Sequence, residues 1–256
     1  MKRIAIVGGA GRMGQVLAAG LGAVPDLSLV ALVDVHEPSE LFDAKYAASL
    51  ADLDPGKVDV VVDFSSPESA VTSAQWCAQH AVALVIGTTG LGAEQQAQVE
   101  QASGSTAILM ATNFSIGVVL QQRFAAMAAP YFERVEIIEL HHDRKVDAPS
   151  GTSLSTAQAI AEARREAGFP PLVDPTSRHS IEGTRGGDGA DGVRVHSIRL
   201  PGLVSHQEVL FGGPGEGLTI RHDSFDRVSF LQGVVLAVRA IRATPGLTVG
   251  IDSLVA

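Results

Sequence analysis

Arg3-Ile4-Ala5-Ile6-Val7-Gly8-Gly9-Ala10-Gly11-Arg12-Met13-Gly14 carries a branched apolar run straight into a G-x-x-G-x-x-G turn. A short apolar run bounded by glycine reads as a buried strand, and the apolar residues that follow at 13, 16, 17 and 21 read as the inner face of a helix. A second run, 27–34 (LSLVALVD), ends in Asp34, 20 residues after Gly14. Strand, glycine turn, helix, strand and terminal acid form a unit in which loop amides and a helix N-terminus meet a pyrophosphate and the acid meets a ribose hydroxyl. A tight turn with no ligand is the competing explanation; the acid at the expected place argues for a dinucleotide.

The pattern continues outward. Apolar runs at 58–64, 82–87 and 107–111 alternate with helix-like stretches at 67–80 and 93–102. Strands that are apolar throughout, separated by helices, indicate a parallel sheet covered on both faces. Residues 1–113 are therefore expected to form a doubly wound α/β domain. Beyond residue 115 the texture changes: a helix over 116–127, a strand over 134–140, a charged segment over 141–147 and a helix over 153–167. A glycine-rich stretch, 183–192, reads as a mobile loop, followed by alternating strand-like runs at 193–200, 204–211 and 218–222. Consecutive strands suggest an antiparallel, half-exposed sheet, and so a second domain of α+β type. The pattern gives the last helix, 230–241, no address.

Composition narrows the function. The 256 residues include 19 basic and 28 acidic side chains, a net charge of −9, which lacks the basic footprint of a nucleic-acid partner. At 46% hydrophobic residues, global disorder is excluded. The single cysteine, Cys77, can form no intrachain disulfide, and no second thiol supports a zinc site. The apolar start at 4–7 is cut short by Gly8, Gly9 and Gly11, and the run 228–241 contains Gln232 and Arg239 and is too short to span a bilayer. The expectation is a cytoplasmic protein without metal, membrane or nucleic-acid partner, acting on a small molecule.

Asp34 at the end of the second strand favours NADH by bonding the ribose 2′-hydroxyl and repelling a 2′-phosphate. NADPH is the alternative if His36, Arg12 or Lys45 reaches that phosphate. Gly87-Thr88-Thr89-Gly90 follows the fourth run and Ala111-Thr112-Asn113-Phe114-Ser115 the fifth. Their place at the carboxyl ends of parallel strands, more than their composition, points to ligand contact; GTTG alone is equally an ordinary turn.

Glu139-Leu140-His141-His142-Asp143-Arg144-Lys145-Val146-Asp147-Ala148-Pro149-Ser150-Gly151-Thr152 concentrates two His, an Arg and a Lys directly before a Pro-Ser-Gly-Thr helix start. Such a start offers unsatisfied amides to a carboxylate, with Ser150 or Thr152 as cap, while His and Lys supply charge and protons. That suits a small polyanionic substrate that must be protonated. Three plainer readings compete: the His pair with Asp143 could be metal ligands, although adjacent His residues in a strand face opposite ways and no further spacing completes a set, the Arg/Lys run could be a solvated loop, and His141 could be structural. His196, Arg199, His206 and His222 read as ordinary sheet residues, and no Gly-x-Ser-x-Gly elbow supports a serine nucleophile.

These motifs, with HQEVLFG at 206–212 and RHDS at 221–224, resemble the 4-hydroxy-tetrahydrodipicolinate reductase family, formerly dihydrodipicolinate reductase, of the diaminopimelate–lysine pathway. The resemblance spans essentially the whole chain, and HHxxKxDAPSGT is its most specific part. It implies NAD(P)H-dependent reduction of a cyclic dicarboxylate with loss of water. By that resemblance, Gly8, Gly9, Ala10, Gly11, Arg12, Met13, Asp34, Gly87, Thr88, Thr89, Ala111, Thr112, Asn113 and Phe114 line the dinucleotide. His141 and Lys145 handle protons, and His142, Gly151 and Thr152 hold the substrate's carboxylates. It also implies a nucleotide domain of 1–113 completed by about 220–256, and a substrate-binding domain of about 114–219 whose sheet builds a homotetramer. One departure is visible: Val35 follows Asp34 where some members carry an Arg and use both cofactors. Two other functions remain open on the residues, a different two-domain nicotinamide dehydrogenase and a non-catalytic dinucleotide sensor.

Overall fold

The computed structural model describes residues 1–242 and 244–255, which fold as two compact units: Met1–Ile116 with Arg227–Ala256, and Gly117–Asp226. The seam near residue 226 follows from strand pairing. The expected boundary at about 219 would cut a strand that stays hydrogen-bonded as far as Ser224.

Unit 1 is built on seven strands: β1 (Lys2–Val7), β2 (Leu27–Val33), β3 (Lys45–Ala47), β4 (Val60–Asp63), β5 (Ala83–Ile86), β6 (Ala107–Met110) and β12 (Gly246–Val249). All pair in parallel, in the order β12-β6-β5-β4-β1-β2-β3. Every residue of β4 and β5 is buried, as strands covered on both faces must be. The helices are α1 (Arg12–Gly22), α2 (Pro67–His80), α3 (Ala93–Ser103) and α6 (Leu231–Ala240); α1 packs beside α6, and α2 beside α3. Helix α1 buries Leu17 and Leu21 completely, each contributing about 2 kcal/mol of hydrophobic stabilisation. Helix α2 starts where Ser66-Pro67 predicts: the Ser66 hydroxyl accepts from the Ser69 amide, and Pro67 fills the first turn, where no amide is needed.

The last helix thereby gains its address. Val234, Ala237 and Val238 of α6 are fully buried, the Lys2 ammonium donates to the carbonyls of Val238, Arg239 and Ile241, and Arg239 pairs with Asp26. Strands β3 and β12 are three and four residues long, too short to show a period. The sequence order reverses between β1 and β4, since β1 leads through α1 to β2 on one side and β4 through α2 to β5 on the other. The carboxyl ends at that point form the crevice where ligands bind in such sheets.

Unit 2 contains α4 (Ile116–Ala128), β7 (Arg134–His141), α5 (Gly151–Glu166), β8 (Gly187–Asp188), β9 (Arg194–Arg199), β10 (Ser205–Gly213) and β11 (Glu216–Ser224). The sheet order is β11-β10-β7-β9-β8. It is mixed, which corrects the antiparallel expectation: β7 and β9 run parallel because α5 carries the chain back between them. The stretch 183–192 is not simply a loop either. Gly187 and Asp188 pair with Val195 and Arg194, Leu172 donates its amide to the Asp191 carbonyl, and Arg165 pairs with the Asp191 carboxylate. One sheet face packs under α5 through Val135, Ile137, Val195, Val209 and Phe211 with Ile160. Glu136, Ile138 and Leu140 alternate to the other face and are only half-buried.

Candidate active site

In unit 1 the polar residues gather at the carboxyl ends of the strands. After β1 the chain turns at Gly8, whose φ of +83° suits glycine, and the amides of Gly8 and Gly9 both donate to the Val33 carbonyl. Gly14 lies so close to the Gly8 carbonyl that a Cβ there would sit 2.1 Å from the oxygen. Helix α1 opens at Gly11 with no capping side chain and no acid in its first turn. A helix N-terminus left uncapped beside a glycine turn fits a pyrophosphate, with Gly9, Ala10, Gly11, Arg12 and Met13 around it. Asp34 follows β2; its carboxylate accepts from the Ala10 amide at 3.0 Å and the His36 amide at 3.2 Å, tying the glycine turn to the second strand. Arg12, at the start of α1, and His36, two residues after Asp34, are both exposed. Lys45 is placed elsewhere: it pairs with Ala31, three residues before Asp34 along β2, beside Arg3 and Asp54.

Gly87, Thr88 and Thr89 follow β5, and Ala111, Thr112, Asn113 and Phe114 follow β6. The Thr88 side chain turns inward. Its hydroxyl donates to the buried Asp63 carboxylate at 2.7 Å and accepts the Ser65 amide at 2.8 Å. Asp63 also accepts from Ser65 and Ser73 hydroxyls; burial pushes its carboxyl up, and those hydroxyls pull against the shift. Any Thr88 contact with a ligand is thus left to its backbone, whereas Thr89 and Thr112 are exposed. The Asn113 side chain accepts the Ser115 amide, and the Phe114 ring packs at 5.5 Å from that of Phe64.

In unit 2 the site forms where β7 ends and α5 begins. Glu139 and His141 stand two residues apart on β7, and strand alternation puts them on one face. Glu139 is completely buried. Its carboxylate takes a two-pronged bond from Arg199 of β9, both arms at 2.8 Å, and the Ser150 amide at 3.3 Å, and it contacts His141 Nδ1 at 2.5 Å. Burial drives that carboxyl up, but hydrogen bonds from His141, Arg199 and Ser197 prevail and hold it at about 2. The opposite nitrogen, His141 Nε2, lies 3.0 Å from the Ser205 hydroxyl of β10.

Ser150 is the cap of α5, its hydroxyl accepting the Ser153 amide, and no acid occupies the first turn. Gly151 is exposed with open space beside it, so the helix start can admit a carboxylate. His142 Nδ1 is buried without a hydrogen-bond partner among the described residues. Lys145 is paired with Asp147 at 2.7 and 2.9 Å. Across 139–152 with Arg199, three cations are matched by three carboxylates, so the segment is less cationic than its sequence suggests. Among the described residues no group of three His, Cys, Asp or Glu is placed to hold a metal ion, and no helix is long and apolar enough to cross a membrane.

Sequence reasoning missed Arg199, Ser205 and the role of Glu139. Arg199 is 60 residues from Glu139 and reaches it only through the parallel pairing of β7 with β9. The alternation Glu139-x-His141 was the one visible signal.

A parallel nucleotide-binding sheet of Rossmann type joined to a mixed-sheet unit with a histidine–carboxylate cluster defines a two-domain oxidoreductase. A myo-inositol dehydrogenase from Corynebacterium glutamicum shares this fold at a TM-score of 0.62 and 15% identity, covering 96% of this chain and 90% of its own. Family models for dihydrodipicolinate reductase match residues 2–114 (N-terminus) and 117–255 (C-terminus). The 4-hydroxy-tetrahydrodipicolinate reductase of Mycolicibacterium gilvum is 48% identical over 98% of both chains. A dipicolinate-bound dihydrodipicolinate reductase from a Paenisporosarcina species superposes at a TM-score of 0.85, with 37% identity and 99% of both chains covered. The chain belongs to the dihydrodipicolinate reductase family.

Proposed function

We propose that this protein reduces 4-hydroxy-tetrahydrodipicolinate to tetrahydrodipicolinate, with loss of water, in diaminopimelate and lysine biosynthesis. The observation that carries the reading is the convergence of His141, Lys145 and the open start of α5 on one short segment, in a member of this family. Gly8 to Met13, Asp34, Gly87 to Thr89 and Ala111 to Phe114 hold the reduced dinucleotide, which supplies hydride from its nicotinamide ring. NADH is preferred, because the Asp34 carboxylate bonds the ribose diol and repels a 2′-phosphate; NADPH use rests on Arg12 or His36, since Lys45 lies off to the side.

In unit 2 the substrate's carboxylates are held by His142, Gly151 and Thr152, the helix start contributing its partial positive charge. His142 Nδ1, otherwise unpartnered, gains a hydrogen bond on binding. Lys145 leaves Asp147 for the substrate, and the nearby dianion keeps it protonated as general acid. His141 exchanges a proton with the substrate through Nε2. Assembly as a homotetramer through the half-buried face of the unit 2 sheet, and a cytoplasmic location, complete the reading.

The test is calorimetric titration of pyridine-2,6-dicarboxylate into protein saturated with NADH. His142→Ala and Lys145→Ala are each expected to weaken the dicarboxylate about tenfold or more while leaving NADH affinity unchanged. Equal dicarboxylate affinity in both variants and the parent would remove the substrate site from this segment.

A further inference from the structure

We propose that Glu139, clamped by Arg199, is the positioning residue that fixes the tautomer and orientation of His141, so that Nε2 is the nitrogen that exchanges the proton. The inference deepens the reductase reading and rests on it. Both carboxylate oxygens of Glu139 are fully engaged. Oε1 accepts from Arg199 Nη2 and the Ser150 amide, Oε2 accepts from Arg199 Nη1, Ser197 also bonds the carboxylate, and His141 Nδ1 lies 2.5 Å from Oε2. The guanidinium is itself fixed, since it also donates to the carbonyls of Ile198 and Asp147.

An ionised carboxylate only accepts, so the hydrogen on the Glu139–His141 contact belongs to Nδ1. The neutral ring then presents a bare Nε2, to which the Ser205 hydroxyl donates at 3.0 Å. When the ring is protonated, the added hydrogen sits on Nε2, and the buried carboxylate stabilises the cation from the other side. Giving that hydrogen to the substrate returns the ring to the Nδ1–H form, so Glu139 never takes the proton. Hydrogen bonds from His141, Arg199 and Ser197 keep the carboxylate ionised in a site where burial alone would favour its neutral form.

The same contacts could merely staple β7, β9 and α5 together. A staple leaves the ring tautomer free; a positioning residue does not. With an amide at 139, the Arg199 fork and His141 would compete for one oxygen, because the NH₂ group has to face one of them. The experiment is a long-range ¹H–¹⁵N correlation spectrum of ¹⁵N-histidine-labelled protein above the pH at which the ring titrates, with steady-state kinetics on the same samples.

In the parent, His141 is expected as Nδ1–H with bare Nε2. Glu139→Gln is expected to shift the ring toward Nε2–H and to lower kcat by about 10²-fold or more, with KM moving far less. Arg199→Lys, which keeps a positive charge at Glu139 and guards against a Gln variant that does not fold, is expected to retain Nδ1–H and to lose less of kcat. An Nε2–H ring in the parent overturns the inference, as does a Glu139→Gln protein with unchanged tautomer and a kcat close to the parent's. An Nδ1–H ring in a parent that reduces no dicarboxylate overturns it through the reductase reading, and the spectrum tells that failure from the others.

Discussion

Gly14→Ala tests whether the glycine turn is built to its limit. The new Cβ would stand 2.1 Å from the Gly8 oxygen, 2.9 Å from its carbon and 3.0 Å from Gly9 Cα, all backbone atoms. Ordinary contact lies near about 3.5 Å, so more than an ångström has to be found. Helix α1 cannot supply it, because Leu17, Ala18 and Leu21 are fully buried beneath it, nor can β1, where Ile4, Ala5 and Ile6 are buried likewise. The turn itself must move, taking the Gly9 to Gly11 amides with it. Overpacking of this kind costs about 1–3 kcal/mol, and each kcal/mol lowers the melting midpoint of a chain this long by roughly 2–4 °C. Displacing the amides by about an ångström should weaken NADH between about tenfold and 10²-fold. Gly22→Ala, near the end of the same helix with nothing within 4 Å, is the control and should be neutral or slightly stabilising. Calorimetric scanning and NADH fluorescence titration read both effects. Parent-like Tm and Kd in Gly14→Ala would mean that the turn has room for the methyl group and is not built to its limit.

Three further outcomes are expected. Lys145→Ala and His141→Ala should each lower turnover by about 10²-fold or more with NADH affinity unchanged in a direct titration; near-parent rates in either would demote that residue to a structural role. Asp147→Ala should lower KM by at most about fivefold, because it removes the partner Lys145 must leave, and a half-exposed pair is worth about 0.2–1 kcal/mol; a raised KM would make Asp147 part of the binding surface instead. The Glu139 carboxyl, held at about 2 in the fold against roughly 4.3 when unfolded, contributes stability that is present above the unfolded value and lost as pH falls through the window down to about 2. Urea unfolding at pH 6 and pH 3 should show that loss in the parent and less of it in Glu139→Gln; identical acid losses would contradict it.

What the sequence made legible follows from how local each signal is. Helix α2 runs over Pro67–His80 as the pattern indicates, because Ser66-Pro67 starts it and Ala81, in a left-handed conformation, ends it. The parallel sheet was visible because both faces of its central strands are buried, which no exposed strand imitates. The mixed character of the second sheet was not, since strands Arg194–Arg199 and Arg134–His141 pair across a long crossover that leaves no mark in either. Strand β8 is two residues of glycine and aspartate and has no period at all. At the site, the nearness of Glu139 and His141 to a helix start capped by Ser150 or Thr152 was legible in the segment, and the structure selects Ser150. Their assembly around Arg199 was not, and neither was the Lys145–Asp147 pair, because sequence shows which charges are near but not which are already satisfied.

The most direct measurement is oxidation of NADH and NADPH by the purified protein, with substrate generated in place by a purified synthase from pyruvate and aspartate semialdehyde. Rapid oxidation that requires both the synthase and this protein, faster with NADH than with NADPH, is the expected result. Dinucleotide binding without synthase-dependent oxidation would contradict the account and leave a sensor or a dehydrogenase for another substrate.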